Sequence, residues 1–151
     1  MCIRDRIGTA CYGQRAGQRE LDSLLSRILV IDDDRAVCAA VAGLLAKLGH
    51  ESVLASNTID GIAAAEGGAI DVALIDMNMP GLDGLEAVKA IARIEPQIPV
   101  IGMSGGSTST SAEDYAILAV NFGAALFLPK PFSSEQLRRA ITTVSSASTA
   151  R

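Results

Sequence analysis

Acidic, hydroxyl and ammonium side chains follow short apolar runs at four points along the chain. They are the triplet Asp32-Asp33-Asp34, Asp76, Ser104 and Lys130. Clustered carboxylates repel one another unless protonation or a cation relieves the repulsion, and a few carboxylates with waters and a phosphate are typical ligands of Mg2+. A lysine and a serine suit an incoming phosphoryl group, because one supplies positive charge and the other a hydrogen-bond donor. The set therefore indicates phosphoryl-transfer chemistry, which needs mainly positioning and charge neutralisation.

The elements between these four points predict how they meet. β-branched runs predict strands at 27–32, 51–55, 70–76, 98–104 and 124–128. Amphipathic stretches predict helices at 35–48, 58–66, 84–94, 112–122 and 134–144. Five strands that each precede a helix predict a doubly wound α/β domain, with a parallel sheet covered on both faces. Ligands of such sheets bind beyond the carboxyl ends of the strands, which is where the candidate residues stand.

Residues at the element ends agree with this reading. The first, third and fourth runs are almost wholly apolar and predict central strands, whereas the mixed run at 51–54 predicts an edge strand. Gly49 follows the first helix, where a left-handed cap is favoured. Ser133 or Ser134 can cap the last helix, and Asp34 fits an N-cap better than a ligand.

Composition limits the class of protein. A chain of 151 residues suits one domain, and with 49% apolar but 3% aromatic residues its core must be aliphatic. The formal net charge is −4, and residues 1–27 carry five Arg against three acids, which leaves −6 for residues 28–151. An acidic body without a basic stripe argues against direct nucleic-acid binding.

Membrane and redox signals point to a cytoplasmic protein. No apolar run reaches the ~18–20 residues that span a bilayer, and the N-terminus lacks the apolar stretch of a secretory signal. The cysteines are Cys2, Cys11 and Cys38, an odd number whose spacing matches no metal-binding motif. We expect reduced, unpaired thiols.

The domain is expected to cover residues 27–147. Residues 1–26 lack strand character and predict a linker or a disordered extension, and residues 148–151 predict a tail. The first six residues, Met-Cys-Ile-Arg-Asp-Arg, resemble the translation of a transposon adapter used in library preparation. On that reading the natural start of the gene lies elsewhere.

Four stretches together resemble the receiver domain of bacterial response regulators. They are Ile-Leu-Val-Ile-Asp-Asp-Asp at 28–34, Asp-Val-Ala-Leu-Ile-Asp-Met-Asn-Met-Pro-Gly-Leu-Asp-Gly at 71–84, Pro-Val-Ile-Gly-Met-Ser-Gly at 99–105 and Leu-Pro-Lys-Pro-Phe at 128–132. The resemblance implies a flavodoxin-like sheet with strand order 2-1-3-4-5. It also implies a signalling domain, not an enzyme, that takes a phosphoryl group from a histidine kinase or phosphotransfer protein in a two-component system.

The same resemblance assigns roles at the acidic end of the sheet. Asp76 corresponds to the phospho-acceptor. Asp33 and Asp76 would bind Mg2+ through their carboxylates, Asn78 through its backbone carbonyl and Asp32 through a water. No position of this set departs from the family pattern.

The remaining roles concern the phosphoryl group and its read-out. Ser104 stands at the hydroxyl position that bonds a phosphoryl oxygen, and Lys130 at the position that pairs with the phosphoryl group. Phe127 corresponds to a switch aromatic, and the bond before Pro131 is cis in this family. An output partner would bind the surface formed by the helix at 112–122, the strand at 124–128 and the helix at 134–144.

Two other functions fit parts of the sequence. A receiver that is never phosphorylated, and acts only as an interaction module, would share the fold, but such domains lack one of the acids or the lysine. A haloacid-dehalogenase-type phosphatase also begins with a strand that ends in Asp-x-Asp, but Ala36 stands where that family has Thr or Val. A stand-alone receiver and the C-terminal receiver of a hybrid histidine kinase both fit, and the sequence leaves that choice open.

Overall fold

The computed structural model of the chain describes residues 25–79, 84–105 and 111–149. Its strands are β1 (Arg27–Ile31), β2 (Glu51–Ala55), β3 (Val72–Asp76), β4 (Val100–Ser104) and β5 (Leu126–Pro129). Its helices are α1 (Arg35–Lys47), α2 (Thr58–Glu66), α3 (Gly84–Ile94), α4 (Ala112–Asn121) and α5 (Ser134–Thr149). Each strand is followed by a helix, as predicted. The predicted extension at 1–26 lies outside these residues up to position 24.

The five strands form one parallel sheet in the order β2-β1-β3-β4-β5. This order confirms the prediction, and the mixed strand β2 lies at an edge. The register places Ile31 beside Ile75 and Asp76 beside Met103. The strand order reverses between β1 and β3: the connection from β1 leads outward to β2, and the connection from β3 leads outward to β4 on the other side. The residues after β1 and β3 therefore border the crevice where such sheets bind ligands.

Alternate residues of the central strands face opposite layers. Leu29 and Ile75 pack under α2, α3 and α4, whereas Val30 and Leu74 pack under α1 and α5. Both layers are built almost entirely from aliphatic and methionine side chains, as the low aromatic content requires. Each fully buried Leu, Ile or Val contributes about 1.5–3 kcal/mol, and the two layers together hold the strand ends in fixed register.

Side chains and a glycine cap the helices that border the site. The Asp34 carboxylate accepts a hydrogen bond from the Ala36 amide at 2.9 Å, which confirms its predicted role as N-cap of α1. Gly49 has a φ of 85° after α1, as predicted. At α5 the cap is Ser133: its hydroxyl accepts from the Gln136 amide at 3.2 Å, and the Gln136 side chain accepts from the Ser133 amide at 2.8 Å.

The last helix is longer than the sequence predicted. α5 continues to Thr149, five residues past the predicted end, and so includes part of the expected tail. The hydroxyls of Thr142 and Thr143 donate to the carbonyls of Arg138 and Arg139 at 2.8 and 2.7 Å. These hydroxyls bond back within the helix just before its predicted end, and the backbone stays helical through the mostly polar residues 145–149. Even so, no helix among the described residues is both long and apolar enough to cross a membrane.

Strands β3, β4 and β5 each begin two residues later than predicted. The amide of Ile98 donates to Glu95 at 3.0 Å, and the amide of Ala124 donates to Ala119 at 2.9 Å. These bonds close the preceding turn or helix, so the residues are apolar yet do not belong to the ladder. Apolar character alone does not separate a strand from the buried approach to it.

Candidate functional site

Three carboxylates meet at the carboxyl ends of β1 and β3. Oxygen atoms of Asp32, Asp33 and Asp76 all lie within 4.8 Å of one another. Asp32 and Asp76 are buried, with 1% and 4% of their surface exposed, whereas Asp33 is exposed. The site therefore has two acids in the floor and one at the rim.

Asp32 is fixed through both its backbone and its carboxylate. Its amide donates to the carbonyl of Ala55 on β2 at 3.1 Å, and its carbonyl accepts from the thiol of Cys38 at 3.3 Å. One carboxylate oxygen accepts from the Asp34 amide at 2.9 Å. The other oxygen accepts from Lys130. Asp32 thus joins the start of α1 to the loop after β5.

Lys130 brings a positive charge to the two buried acids. Its Nζ lies 2.8 Å from Asp32 Oδ2 and 3.3 Å from Asp76 Oδ1. Its backbone amide donates to the carbonyl of Ser104 at 2.9 Å, which ties the loop after β5 to the end of β4. The peptide bond between Lys130 and Pro131 is cis. The strand ends thus bring Lys130 to the acids, as the sequence predicted.

Burial and charge shift the pKa values of Asp76 and Lys130. Burial raises the pKa of Asp76, and the nearby charge of Lys130 only partly opposes that shift. Burial by itself lowers the pKa of Lys130, but its hydrogen bond to Asp32 and the charge of Asp76 outweigh burial and raise it. Lys130 is therefore a firmly held cation, and Asp76 carries its negative charge at a cost.

The other predicted site residues lie around this pair. Ser104 is fully buried at the end of β4. The Asn78 amide lies 3.4 Å from Asp76 Oδ1, so this residue borders the acceptor. Phe127 lies on β5 beside Gly102 and packs, partly buried, against the core layer under α2, α3 and α4. Asn78 thus borders Asp76, Ser104 ends the neighbouring strand β4, and Phe127 lies one strand further away.

Sequence reasoning missed two close contacts of this site. Cys38 was interpreted only as an unpaired thiol, yet it bonds the backbone of Asp32. Gly84 was interpreted as an ordinary helix start, yet a Cβ atom there would overlap the carbonyl oxygen of Asp76 and the Cα atom of Met77. For the first contact the sequence offers one signal, the position of Cys38 four residues after the capping Asp34. For the second it offers none, because the contact of Gly84 depends on how α3 packs against the end of β3.

Known proteins are similar to this chain in both sequence and fold. The family model described as the response regulator receiver domain matches residues 28–142. The chain belongs to this family. This receiver domain is 34% identical over 111 residues to the transcriptional regulatory protein ZraR of Klebsiella oxytoca, and the match covers 74% of this chain and 24% of that protein.

Solved structures of receiver domains have the same architecture. The crystal structure of a response regulator receiver domain protein from Clostridium thermocellum has a TM-score of 0.75 and 32% identity, covering 83% of this chain and 98% of that one. A CheY-like receiver domain protein from Methanospirillum hungatei JF-1 has a TM-score of 0.74 and 26% identity, with the same coverage. The predicted family and the predicted flavodoxin-like fold are confirmed.

The family places this receiver domain in two-component signal transduction, as a signalling module. The haloacid-dehalogenase alternative finds no support. The chain spans about a quarter of the length of the first curated relatives that it matches.

Proposed function

We propose that this receiver domain accepts a phosphoryl group on Asp76 from a histidine kinase or phosphotransfer protein, in the cytoplasm and with Mg2+ bound beside it. The observation that supports this most directly is the meeting of three carboxylates and one ammonium at a single sheet edge. An oxygen of Asp76 attacks the phosphorus and forms the new phosphorus–oxygen bond. The phosphorus–nitrogen bond to the donor histidine breaks, and the nitrogen keeps the electron pair.

The donor set fits Mg2+, because hard oxygen atoms converge there within 4.8 Å of one another. Asp33 and Asp76 would hold the ion through carboxylates, Asn78 through its backbone carbonyl and Asp32 through a water. The ion, when bound, supplies positive charge that offsets the negative charge of the acids and of the phosphoryl oxygens.

Lys130 and Ser104 would stabilise the phosphoryl group after transfer. Lys130 already contacts the acceptor carboxylate, so its charge faces the developing negative charge. Ser104 ends the strand next to β3 and would donate its hydroxyl to a phosphoryl oxygen. Both residues act from the protein side of the reaction, by orientation and charge.

Read-out is proposed through the surface formed by α4, β5 and α5. A Ser104 hydroxyl drawn toward the phosphoryl group would leave space beside β5, into which Phe127 turns. On α4, Ile117 and Val120 are exposed apolar residues that a partner can cover. A partner that binds one form better shifts the population toward that form.

The test of the acceptor uses acetyl phosphate and Mg2+, with intact mass as the read-out. The wild type should gain one labile phosphoryl group, and Asp76→Asn should gain none. Asp34→Asn is the matched control, since Asn caps a helix as well as Asp. If Asp76→Asn is labelled at the wild-type rate, Asp76 is not the acceptor; if the wild type gains no label, the unphosphorylated interaction module is the better description.

The test of the read-out compares the free and beryllofluoride-bound receiver domain by NMR. Amide shifts should appear in α4 and β5 as well as in the loops around Asp33 and Asp76. Shifts that remain confined to those loops would show that Phe127 and α4 do not respond to the site.

A further inference from the structure

A glycine on β4 leaves a slot that the residue after Asp76 fills. Gly102 has no side chain, and a Cβ atom placed there would lie 3.0 Å from the Met77 sulfur and 3.3 Å from the Ala119 Cβ. Carbon atoms in good contact lie ~3.5–4.0 Å apart. The Met77 thioether and the α4 residue Ala119 therefore occupy the space that any other residue at position 102 would need.

Met77 is held at this place by its backbone as well. Its amide donates to the carbonyl of Met103 at 2.7 Å, one residue after Gly102 on the same strand. The residue is 2% exposed and belongs to the same core layer as Ala119. Both the backbone amide and the side chain of Met77 thus contact β4, immediately after the proposed acceptor.

The slot also borders the proposed switch residue. Phe127 pairs with Gly102 across β4 and β5 and packs against the same core layer. The end of β3, the middle of β4 and α4 consequently meet around one methionine side chain, and β5 lies on the other side of Gly102. A change in the packing of this side chain reaches Asp76 through one peptide unit.

We propose that Met77 is a positioning residue: seated in the Gly102 slot, it fixes the turn that presents the Asp76 carboxylate and the Asn78 carbonyl. This inference rests on the proposed function of Asp76. Met77 would touch neither the metal nor the phosphoryl group and would act only through the backbone that carries their ligands. Filling the slot or emptying it should therefore change metal affinity and phosphorylation rate without removing any ligand.

The experiment is a double-mutant cycle on Met77 and Gly102. Met77→Ala empties the slot, Gly102→Ala crowds it, and the double variant places a small side chain at each position. Mg2+ titration and the rate of labelling by acetyl phosphate are measured at a temperature where each variant is folded. Each single variant should weaken Mg2+ binding roughly threefold to tenfold, and the double variant should bind more tightly than Met77→Ala.

Gly43→Ala is the matched control, because a Cβ atom at position 43 meets nothing within 4 Å. This variant should keep the wild-type Mg2+ affinity and labelling rate. The comparison of Met77→Ala with the double variant does not require Gly102→Ala to fold. A double variant that binds Mg2+ no better than Met77→Ala would overturn the inference. Single variants that are less stable but keep the wild-type Mg2+ affinity and labelling rate would overturn it as well.

The outcomes separate this inference from the proposed function. A wild type that neither binds Mg2+ nor gains a phosphoryl group contradicts the proposed function itself. A wild type that does both, together with Met77 and Gly102 variants of unchanged affinity and rate, contradicts only the positioning role.

Discussion

The ammonium of Lys130 lies 2.8 Å from a carboxylate oxygen of Asp32, although 98 residues separate them in the chain. Asp32 is almost wholly buried at the end of β1, and Lys130 stands in the loop after the edge strand β5. A buried charge is tolerated only with a partner, so each of these two residues accounts for the burial of the other. Their contact joins the residues that follow β1 and β5, which stand at the two sides of the four adjacent strands β1, β3, β4 and β5.

Removal of the Lys130 charge should destabilise the receiver domain. In Lys130→Met two buried carboxylates lose their counter-ion, and breaking a buried ion pair costs about 3 kcal/mol. Urea denaturation in the absence of Mg2+ measures the loss, and Lys89→Met, at an exposed lysine on α3, is the control. Equal stability of the two variants would show that the pair does not hold the site together.

Asp76→Asn should raise stability in the absence of Mg2+ by an amount on the order of 1 kcal/mol. Burial raises the pKa of Asp76 in the folded state, while Lys130 keeps Asp32 as a partner in the variant.

The sign of the pH dependence follows from the same shift. The folded state binds the Asp76 proton more tightly than the unfolded state, so this residue favours folding fully below its unfolded pKa, ~3.9. That contribution is lost as pH rises through the raised folded pKa. Denaturation curves from pH 4 to 7 should show this loss in the wild type and not in Asp76→Asn; parallel curves would contradict it.

Acid should loosen the start of β1 through His50. The Ser26 amide donates to His50 Nδ1 at 3.1 Å, and protonation of that nitrogen removes the acceptor. Burial lowers the pKa of His50, against the opposing charge of Asp71. The stabilisation is therefore complete above the unfolded pKa of ~6.5 and is lost as pH falls through the lower folded value.

Amide exchange at Ser26 measures this loosening. The protection factor of the Ser26 amide, which is its intrinsic exchange rate divided by its observed rate, should fall from pH 7 to pH 5 relative to the protection factors of neighbouring β1 amides. His50→Ala should be fast already at pH 7. A Ser26 amide that is equally protected at both pH values would rule out the histidine as its acceptor.

Two glycine substitutions should have opposite effects on stability. Gly84→Ala drives a Cβ atom into the backbone of Asp76, and such crowding costs about 1–3 kcal/mol. Gly43→Ala adds a Cβ atom in open space on the exposed side of α1 and should stabilise the helix by about 0.5–1 kcal/mol. Thermal unfolding of both variants compares the two signs, and a neutral Gly84→Ala would mean that α3 does not approach β3 so closely.

The sequence by itself determined the fold class and the site residues to be tested. β-branched apolar runs and amphipathic helical spacing depend on local chemistry, so the alternation of strands and helices could be predicted, as could the capping role of Asp34. Parallel strands place their carboxyl ends at one edge, so the candidate residues could be assigned to one place before any contact was known. Local polarity misled only at element ends, as where α5 continues through the mostly polar residues 145–149 to Thr149.

Only the tertiary structure decided which of these residues touch and which are buried. Asp32, Asp33 and Asp34 are identical in type and adjacent, yet the first is buried against Lys130, the second is exposed and the third caps α1. The seat of Met77 beside Gly102 was likewise unreadable, because one glycine among strand residues gives no sign of what fills its space. The local sequence pattern determines whether a segment is a strand or a helix. Burial and contact depend on side chains that are distant in sequence and meet only when the layers pack.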